Sequence, residues 1–345
     1  MGLVSVLLCC RGRSDEAAST ASTGSSPILL CAPSNAAVDE LLSRLSGGVL
    51  NSDGIKSEIK LVRLGKTVIS RSTPTDSNNS NDRSTDRSIN GLDRFTLDVQ
   101  VNDTIQKHTL YVAHQATNKE IQQLYKHLSE GSSSSTSAEK LKEMRYRLKY
   151  LKLLRANQEK ELDILRLIER RNILLQADVV ISTLSSSGGS VLYDHVTSSG
   201  MNHDANNGSI ASSTSASSSV GIGASLFRTT DANPNKSIVF DIVIIDEAAQ
   251  CTEPAALIPL HYACKHLVLI GDSRQLPATV LSTQDNARTY YGRSLFERLE
   301  NSGHEVLLLS IQYRMHPEIR MFPSEQFYLG KLVDADFIKN QTMYM

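Results

Sequence analysis

Short apolar runs rich in β-branched residues alternate along the chain with segments of helical periodicity. The runs predict strands at residues 28–32, 59–64, 179–184, 239–245, 267–270 and 306–309. Nearly every residue within a run is apolar, rather than every second one, which is typical of strands covered on both faces. The pattern therefore predicts a parallel sheet in a doubly wound α/β domain.

A longer helical pattern interrupts this alternation. Leucine and methionine recur in an a/d heptad register that Arg155 and Gln158 break, at Leu141, Met144, Leu148, Leu151, Leu162 and Leu165. We expect helices at 114–129 and 138–176 to pack as an antiparallel stalk inserted at about 92–176. The pattern by itself indicates a solvated coiled coil without chemistry of its own.

Several serine- and asparagine-rich stretches contain too few apolar residues to offset the entropy cost of ordering. Residues 70–90, 131–137 and 198–219 are predicted to be disordered loops, and residues 1–27 a disordered leader. The apolar residues 2–10 are too few to span a membrane and lack a basic segment before them. We therefore expect no targeting segment there, only a buried strand or part of the leader.

Composition limits the classes of partner. The chain has 345 residues, with 36 Lys+Arg against 37 Asp+Glu, so it has no overall basic field and any nucleic-acid binding must be local. Its five cysteines form no C-x-x-C pair and no metal-spaced cluster with histidine. This usage predicts neither a disulfide framework nor a zinc site, and it fits a reducing compartment.

Ligands of parallel α/β sheets bind beyond the carboxyl ends of the strands, so the residues after each strand are the candidates for chemistry. Asp246 and Glu247 directly follow residues 241–245, the last part of the predicted strand at 239–245. Such a pair can hold Mg²⁺ and accept a proton from an attacking water. The alternative is a helix N-terminus, where the dipole alone favours carboxylates.

Three other strand ends carry polar motifs. Gly271 and Asp272 open a turn that reaches Gln275, whose amide can both donate and accept; the alternative is a well-capped turn. The planar guanidinium of Arg314 suits phosphate oxygens. The alternative is that Arg314 belongs to a surface ion pair. Ala32-Pro33-Ser34-Asn35 opens a helix at 36–45, as an N-cap or as a holder of a nucleic-acid phosphate.

Together these motifs resemble the superfamily 1B helicases of the senataxin and nonsense-mediated-decay type. The residues that carry the resemblance are 31–42, 62–65, 182–185, 246–260, 271–282 and 294–330, in the order and spacing of that family. The resemblance implies a RecA-like P-loop NTPase fold, with a first motor domain at 28–310 and the start of a second at 311–345. It further implies ATP and Mg²⁺ as cofactors and single-stranded RNA or DNA, or an RNA–DNA hybrid, as partner.

The resemblance also implies a role for each motif. Asp246 and Glu247 look like the magnesium-binding and water-activating carboxylates, and Gln275 like the γ-phosphate sensor beside Gly271 and Asp272. Arg314 looks like an arginine supplied by the second motor domain, with Tyr313 lining the nucleotide cleft. Contacts to the sugar-phosphate backbone of a single strand are implied for Pro33, Ser34, Asn35, Ser182 and Thr183.

The chain departs from the family at one motif. A motor of this kind needs G-x-x-x-x-G-K-[ST] before Ala32, because backbone N–H groups and a lysine hold the triphosphate, and these 345 residues contain no such loop. The Gly-Lys-Thr at 65–67 is not one, since Lys60 stands where the first glycine should be. We expect a fragment or mis-assembled version of a longer helicase, the alternative being a degenerate paralogue.

Three classes of function follow. The first is an ATP-dependent 5′-to-3′ helicase acting on RNA or DNA, and the second is a catalytically inactive nucleic-acid-binding module derived from one. The third, an interaction scaffold, leaves the ordered set of motifs at the strand ends unexplained. The resemblance implies a nuclear location, with the cytoplasm as the alternative, and no membrane partner is expected.

Overall fold

The computed structural model describes residues 26–50, 55–65, 91–130, 138–192 and 238–339. The loops predicted at 70–90, 131–137 and 198–219 lie outside these ranges, as do the first 25 residues of the predicted leader. The described residues form two compact units. The first contains those up to Ile245 together with Leu257–Val268, and the second contains Asp246–Ala256 and the residues from Leu269 onward.

A five-stranded sheet forms the core of the first unit. Its strands are β1 (Ile28–Ala32), β4 (Leu61–Arg63), β5 (Val179–Thr183), β6 (Ile242–Ile245) and β7 (His266–Leu269), in the order β4-β5-β1-β6-β7. β1 pairs in parallel with both β5 and β6, and β4 pairs in parallel with β5. All five residues of β1 are buried, as the apolar runs predict for a central strand.

Two short antiparallel strands, β2 (Val49–Leu50) and β3 (Lys56–Ser57), pair with each other between β1 and β4 in sequence. The helices of the first unit include α1 (Asn35–Ser46), α2 (Leu97–Gln106), α3 (Thr109–Glu130), α4 (Ala138–Gln176) and α5 (Leu184–Ser187), with a 3-10 turn at Ile258–Tyr262. The α/β class and the parallel sheet predicted from the sequence are therefore confirmed.

The predicted stalk is present as α3 packed against α4, with α2 also packed on α4. α4 has the predicted bounds and, at 1.5 Å per residue, is about 58 Å long. Leu151, Leu162 and Leu165 of the heptad register are buried in it, as expected for a helix seam. An ion pair of 2.9 Å between Arg147 of α4 and Glu120 of α3 spans the two helices.

The second unit is smaller and mostly helical. It contains a 3-10 turn at Ala248–Gln250, the helices α6 (Glu253–Leu257), α7 (Asp285–Tyr291), α8 (Leu295–Asn301), α9 (Pro317–Phe327) and α10 (Asp336–Lys339), and two strands. These strands, β8 (Ile311–Gln312) and β9 (Val333–Asp334), pair in parallel. No helix among the described residues is long and apolar enough to cross a membrane.

The prediction of a strand at 306–309 was wrong. The structure assigns no strand to these residues, and Leu307 and Leu309 are each 84% exposed. A strand needs a hydrogen-bonding neighbour, and the pairing that follows in the chain is the two-residue ladder of β8 with β9. The apolar composition of the run was therefore not enough to make it a buried member of the sheet.

Candidate functional site

The carboxyl ends of β1 and β5 lie side by side, because Ala32 is in register with Thr183. Directly after β1, Pro33 and Ser34 are exposed. The Ser34 hydroxyl accepts a hydrogen bond of 3.2 Å from the backbone N–H of Ala37 and caps α1. Pro33 and Ser34 are the accessible part of the predicted nucleic-acid contacts.

A buried arginine stabilises the same loop. The side chain of Arg63 at the end of β4 has no solvent exposure, and its Nε forms an ion pair of 2.8 Å with Asp39 of α1. A second guanidinium nitrogen donates to Asn35 Oδ1 at 3.1 Å, and a third donates to the Leu64 carbonyl at 3.2 Å. Arg63 thus holds the first turn of α1 against β4, and it engages the Asn35 amide that we predicted for the nucleic acid.

Ser182 and Thr183 differ in their access to solvent. Ser182 is fully buried, and its hydroxyl donates to the Thr183 carbonyl at 3.1 Å. Thr183 keeps 8% exposure and caps α5, because its hydroxyl accepts from Ser186 N at 3.2 Å. Of the two predicted nucleic-acid contacts at this strand end, only Thr183 keeps some solvent exposure.

The predicted catalytic carboxylates begin the second unit. Glu247 has φ +52° and ψ +38°, a left-handed conformation that is uncommon and costly for a residue with a side chain. Three hydrogen bonds hold it there: its carbonyl accepts from Gln250 N (2.9 Å) and the Cys251 thiol (3.3 Å), and its Oε2 accepts from the Gln250 amide (2.9 Å). The position and side chain of Glu247 are therefore fixed together.

The thiol of Cys251 remains a donor at neutral pH. Burial, together with the negative charges of Glu247 and Asp246, raises the pKa of Cys251 to about 11. The direction of the shift keeps the thiol protonated, which its hydrogen bond to Glu247 requires. This cysteine is consequently a structural support and not a nucleophile.

A glycine allows the second motif to approach the first. A Cβ built on Gly271 would lie 2.7 Å from Ala249 N, closer than real Cβ atoms come, and 3.2 Å from Ala248 N, which is tighter than most real contacts. At the same place Ala248 N donates to the Ile270 carbonyl at 2.8 Å. The turn after Glu247 and the turn at Gly271 are thus joined backbone to backbone.

α8 braces both turns through its polar side chains. Arg298 Nε donates to Glu253 at 2.8 Å, just after the first turn, and the Ser273 hydroxyl of the second turn donates to Glu300 at 2.6 Å. The helix begins at the Ser294 cap, where the hydroxyl accepts from Glu297 N. Because one helix contacts both turns, their relative position is fixed at two points.

Asp272 is the centre of the second motif. Its Oδ2 accepts from the Gln275 amide at 2.8 Å and from the Tyr328 phenol at 2.5 Å, and its Oδ1 accepts from Arg274 N at 3.0 Å. Burial alone would raise the pKa of Asp272, but these hydrogen bonds outweigh burial and hold that pKa below its ordinary value. Asp272 thus orients the amide of Gln275, the predicted phosphate sensor.

Among the described residues, no hydrogen bond or ion pair joins Arg314 or Tyr313 to these turns. The Arg314 backbone N–H donates to Gln312 Oε1 at 2.9 Å, whereas the guanidinium is exposed and makes no hydrogen bond or ion pair with any described residue. Tyr313 is 63% exposed, with its ring centroid 6.1 Å from that of Phe337. The structure brings neither residue into hydrogen-bond contact with Asp246, Glu247 or Gln275, so a shared site with Arg314 stays a prediction.

Asp246 has the donor set that Mg²⁺ prefers. It is half-buried, and its carboxylate forms no hydrogen bond or ion pair within the described part of the chain. In the same part of the chain no three His, Cys, Asp or Glu side chains cluster as metal ligands. Asp246 therefore fits an ion held by one carboxylate with water and phosphate oxygens, and not an all-protein metal cage.

Two site residues were not predicted from the sequence. Tyr328 lies 56 positions after Asp272 and has no local pattern that marks it. Arg63 did have a signal, because a cation inside the apolar run Leu61–Leu64 of a buried strand requires a carboxylate partner. Asp39 on the inner side of α1 was the available partner.

Comparison with known proteins decides the family. A profile of an AAA domain family matches residues 1–199 and 216–283, and a second AAA domain profile matches residues 291–345. The chain belongs to the superfamily 1 helicases of the senataxin type. The senataxin-type motifs at 31–42, 246–260 and 271–282 all lie within the first of these matches.

The relatives are long proteins, of which this chain matches a small part. "Helicase sen1" of Schizosaccharomyces pombe is 33% identical over 91% of this chain and 17% of its own length. "Probable helicase senataxin" of Homo sapiens is 30% identical over 92% of this chain and 11% of its own length. "Probable helicase MAGATAMA 3" of Arabidopsis thaliana is 60% identical, over 30% of this chain and 12% of its own length.

Proposed function

We propose that this chain provides the first motor domain of an ATP-dependent 5′-to-3′ helicase that acts on RNA or DNA. The observation that carries the proposal is the joining of two motif turns at Ala248 N and the Ile270 carbonyl. This hydrogen bond supports the proposal, because it joins the backbone just after Asp246–Glu247 to the backbone just before the Asp272–Gln275 turn. Two adjacent carboxylates and a sensor amide are among the groups that triphosphate hydrolysis requires.

Each residue has a distinct role in this proposal. Asp246 holds Mg²⁺, partly through water. When bound, Mg²⁺ would neutralise the charge that develops on the phosphate. Glu247 accepts the proton of the attacking water, and its left-handed backbone fixes the carboxylate for that purpose. Gln275 senses the γ-phosphate, and Arg314, which has a free guanidinium within the described residues, stabilises the transition state.

The nucleic acid would contact the strand ends of the first unit. Pro33 and Ser34 are exposed after β1, and Thr183 caps α5 after β5. Backbone contacts of this kind need no base readout, which suits a motor that moves along any sequence. A nuclear location is part of the proposal and rests on the family alone.

The second candidate is a nucleic-acid-binding module without turnover. It is favoured by one observation, the absence of G-x-x-x-x-G-K-[ST] from these 345 residues. Phosphate release with and without single-stranded RNA separates the two candidates. We expect little or no turnover in this chain alone, and RNA-stimulated turnover in a longer protein that supplies the lysine loop.

Variants of such a longer protein test the roles of the carboxylates. Glu247→Gln should retain bound nucleotide and lower the hydrolysis rate by roughly 10² to 10⁴-fold, because the general base is removed. Asp246→Ala should instead weaken magnesium-dependent nucleotide binding. Wild-type turnover in both variants would refute the assignment.

A further inference from the structure

The two halves of α4 differ in charge. Residues 138–155 contain seven Lys or Arg against two glutamates, Glu139 and Glu143, whereas residues 156–176 contain four cations and four anions. The balanced half includes an i,i+3 ion pair of 2.7 Å between Arg166 and Asp163. A helix that needed only a solvated face would carry mixed charge throughout, as this second half does.

Four side chains of the first half share the outer side of the helix. Lys142, Arg145, Tyr146 and Lys149 follow an i, i+3, i+4, i+7 spacing, so they form one stripe about 10 Å long. Glu139 and Glu143 line the same surface at its N-terminal end, so its net charge is one positive. The seam residues Leu148 and Leu151 are less exposed, since Leu148 is half-buried and Leu151 is 2% exposed. We call this set the basic stripe.

The cations of the basic stripe are available to a partner. Arg147 on the flank of α4 is paired with Glu120, but Lys142, Arg145 and Lys149 form no ion pair with any residue that the structure describes. Between them the Tyr146 ring is 79% exposed. An exposed tyrosine bordered by unpaired cations is not required for folding and adds apolar surface that water disfavours.

We propose that the basic stripe binds single-stranded nucleic acid, with Lys142, Arg145 and Lys149 on phosphates and Tyr146 stacked on a base. The rest of the chain carries a net charge of −6, because the whole chain is −1 and residues 138–155 are +5. Electrostatic attraction of a polyanion to this chain is therefore confined to the segment 138–155. Stacking on an exposed aromatic between phosphate contacts is the usual mode of sequence-independent single-strand binding.

The proposal extends the proposed function, since it adds a second nucleic-acid surface to a helicase motor domain. It does not depend on ATP, on the carboxylate pair or on the strand-end contacts. An acidic protein segment is the competing partner, but it would gain little from Tyr146 and would not give the salt dependence of counterion release from a nucleic acid.

The test measures binding of fluorescein-labelled oligo(U) to the full chain by anisotropy, in steps between about 50 and about 300 mM salt. The variant is Lys142→Gln with Arg145→Gln and Lys149→Gln. The control with the same charge change is Lys107→Gln with Arg293→Gln and Lys331→Gln, three exposed cations outside the stalk helices α3 and α4. Circular dichroism and urea unfolding show whether both triple variants keep the fold.

We expect the stripe variant to lower the slope of log K against log salt by about 2, at roughly 0.7 for each phosphate that is no longer neutralised. The control should leave the slope within about 0.3 of wild type. Tyr146→Ala should weaken binding at least about fivefold, and Tyr290→Ala, at a similarly exposed tyrosine, should not.

Two outcomes overturn the inference. One is an unchanged slope in the stripe variant, and the other is binding of a labelled poly-glutamate peptide as tight as that of oligo(U) and equally sensitive to Tyr146→Ala. Oligo(U) binding by a double variant, Ser34→Ala with Thr183→Val, distinguishes failure of this inference from failure of the helicase proposal. If that variant weakens binding while the stripe variant does not, the stalk inference fails and the motor assignment keeps its support.

Discussion

The phenol of Tyr328 donates a hydrogen bond of 2.5 Å to Oδ2 of Asp272, the oxygen that also accepts from the Gln275 amide. Burial, together with the hydrogen bond and the charge of Asp272, raises the pKa of Tyr328 to about 12. The pKa of Asp272 is lowered. Both shifts favour the form in which a neutral phenol donates to a carboxylate, so the residue after α9 positions the turn that carries Gln275.

Replacing the phenol tests this link through the pH dependence of stability. Tyr328→Phe should lower the free energy of unfolding by about 1.5–3 kcal/mol near pH 7, as for hydrogen bonds to charged groups. The Asp272 contribution is present above its unfolded pKa and disappears as the pH falls through its folded value. The Tyr328 contribution is present below its unfolded pKa and disappears as the pH rises through about 12.

Urea unfolding of both proteins across pH measures this difference. The gap between wild type and Tyr328→Phe should be widest between roughly pH 5 and 9 and should shrink on either side. Tyr290→Phe is the control, because that tyrosine is 75% exposed. A gap that does not change with pH would mean that the phenol matters only through packing.

The close approach of Gly271 to the preceding turn predicts a steric cost. Gly271→Ala places a methyl group 2.7 Å from Ala249 N, and because that atom is backbone it cannot rotate away. We expect a decrease of about 1–3 kcal/mol in unfolding free energy, as for overpacked sites. Gly91→Ala is the matched control, since a Cβ there meets nothing within 4 Å and the substitution should be neutral or slightly stabilising.

The sequence predicted the regular elements best where one local signal was uninterrupted. The bounds of α4 are as predicted because residues 138–176 are helix formers without glycine or proline. β1 likewise has the predicted bounds. The run at 306–309 has the same composition as a strand, but composition does not reveal whether a neighbouring strand is available to pair with it.

The sequence predicted only those residues of the candidate site that belong to contiguous motifs. Asp246, Glu247 and Gln275 were found because each follows a strand at fixed spacing. Tyr328 could not be found, because its partner Asp272 is remote in sequence and only the folded chain brings them together. The roles of these residues in catalysis stay predictions.

The ion pair of Arg63 with Asp39 should be the costliest to break. Arg63 is fully buried and Asp39 is 13% exposed, so Asp39→Ala leaves a buried guanidinium without its carboxylate. We expect a decrease of about 3–5 kcal/mol in unfolding free energy. The adjacent Glu40→Ala breaks an exposed i,i+4 pair with Arg44 and should cost about 0.5 kcal/mol or less. Equal effects of the two neighbouring substitutions in urea unfolding would contradict the buried network.

The left-handed backbone of Glu247 predicts a variant that gains stability. Glu247→Gly should raise the unfolding free energy by about 1 kcal/mol, because glycine adopts positive φ without the steric cost. Ala263→Gly relieves the same strain at φ +51° and should stabilise equally. In a turnover-competent longer protein only Glu247→Gly should abolish hydrolysis. If Glu247→Gly destabilises the fold instead, the lost hydrogen bond from the Gln250 amide to the Glu247 Oε2 outweighs the strain.

A buried glutamine in the stalk seam predicts a variant in which removal of a polar group stabilises the fold. Gln158 interrupts the heptad register, and its Oε1 is buried without a hydrogen-bond partner in the described structure. Gln158→Leu should therefore raise the unfolding free energy by about 1–3 kcal/mol, since it removes an uncompensated desolvation cost and completes the seam with Leu162.

The same substitution at Gln100 should have the reverse sign. Its amide donates to the Leu61 and Phe95 carbonyls, both at 3.0 Å, and so satisfies acceptors beside β4. Gln100→Leu leaves these carbonyls without that donor and should cost about 1–3 kcal/mol. Urea midpoints that move in opposite directions for the two Gln→Leu variants would support the assignment. If both move downward, Gln158 has a partner in solution, and the stalk seam is held by that contact.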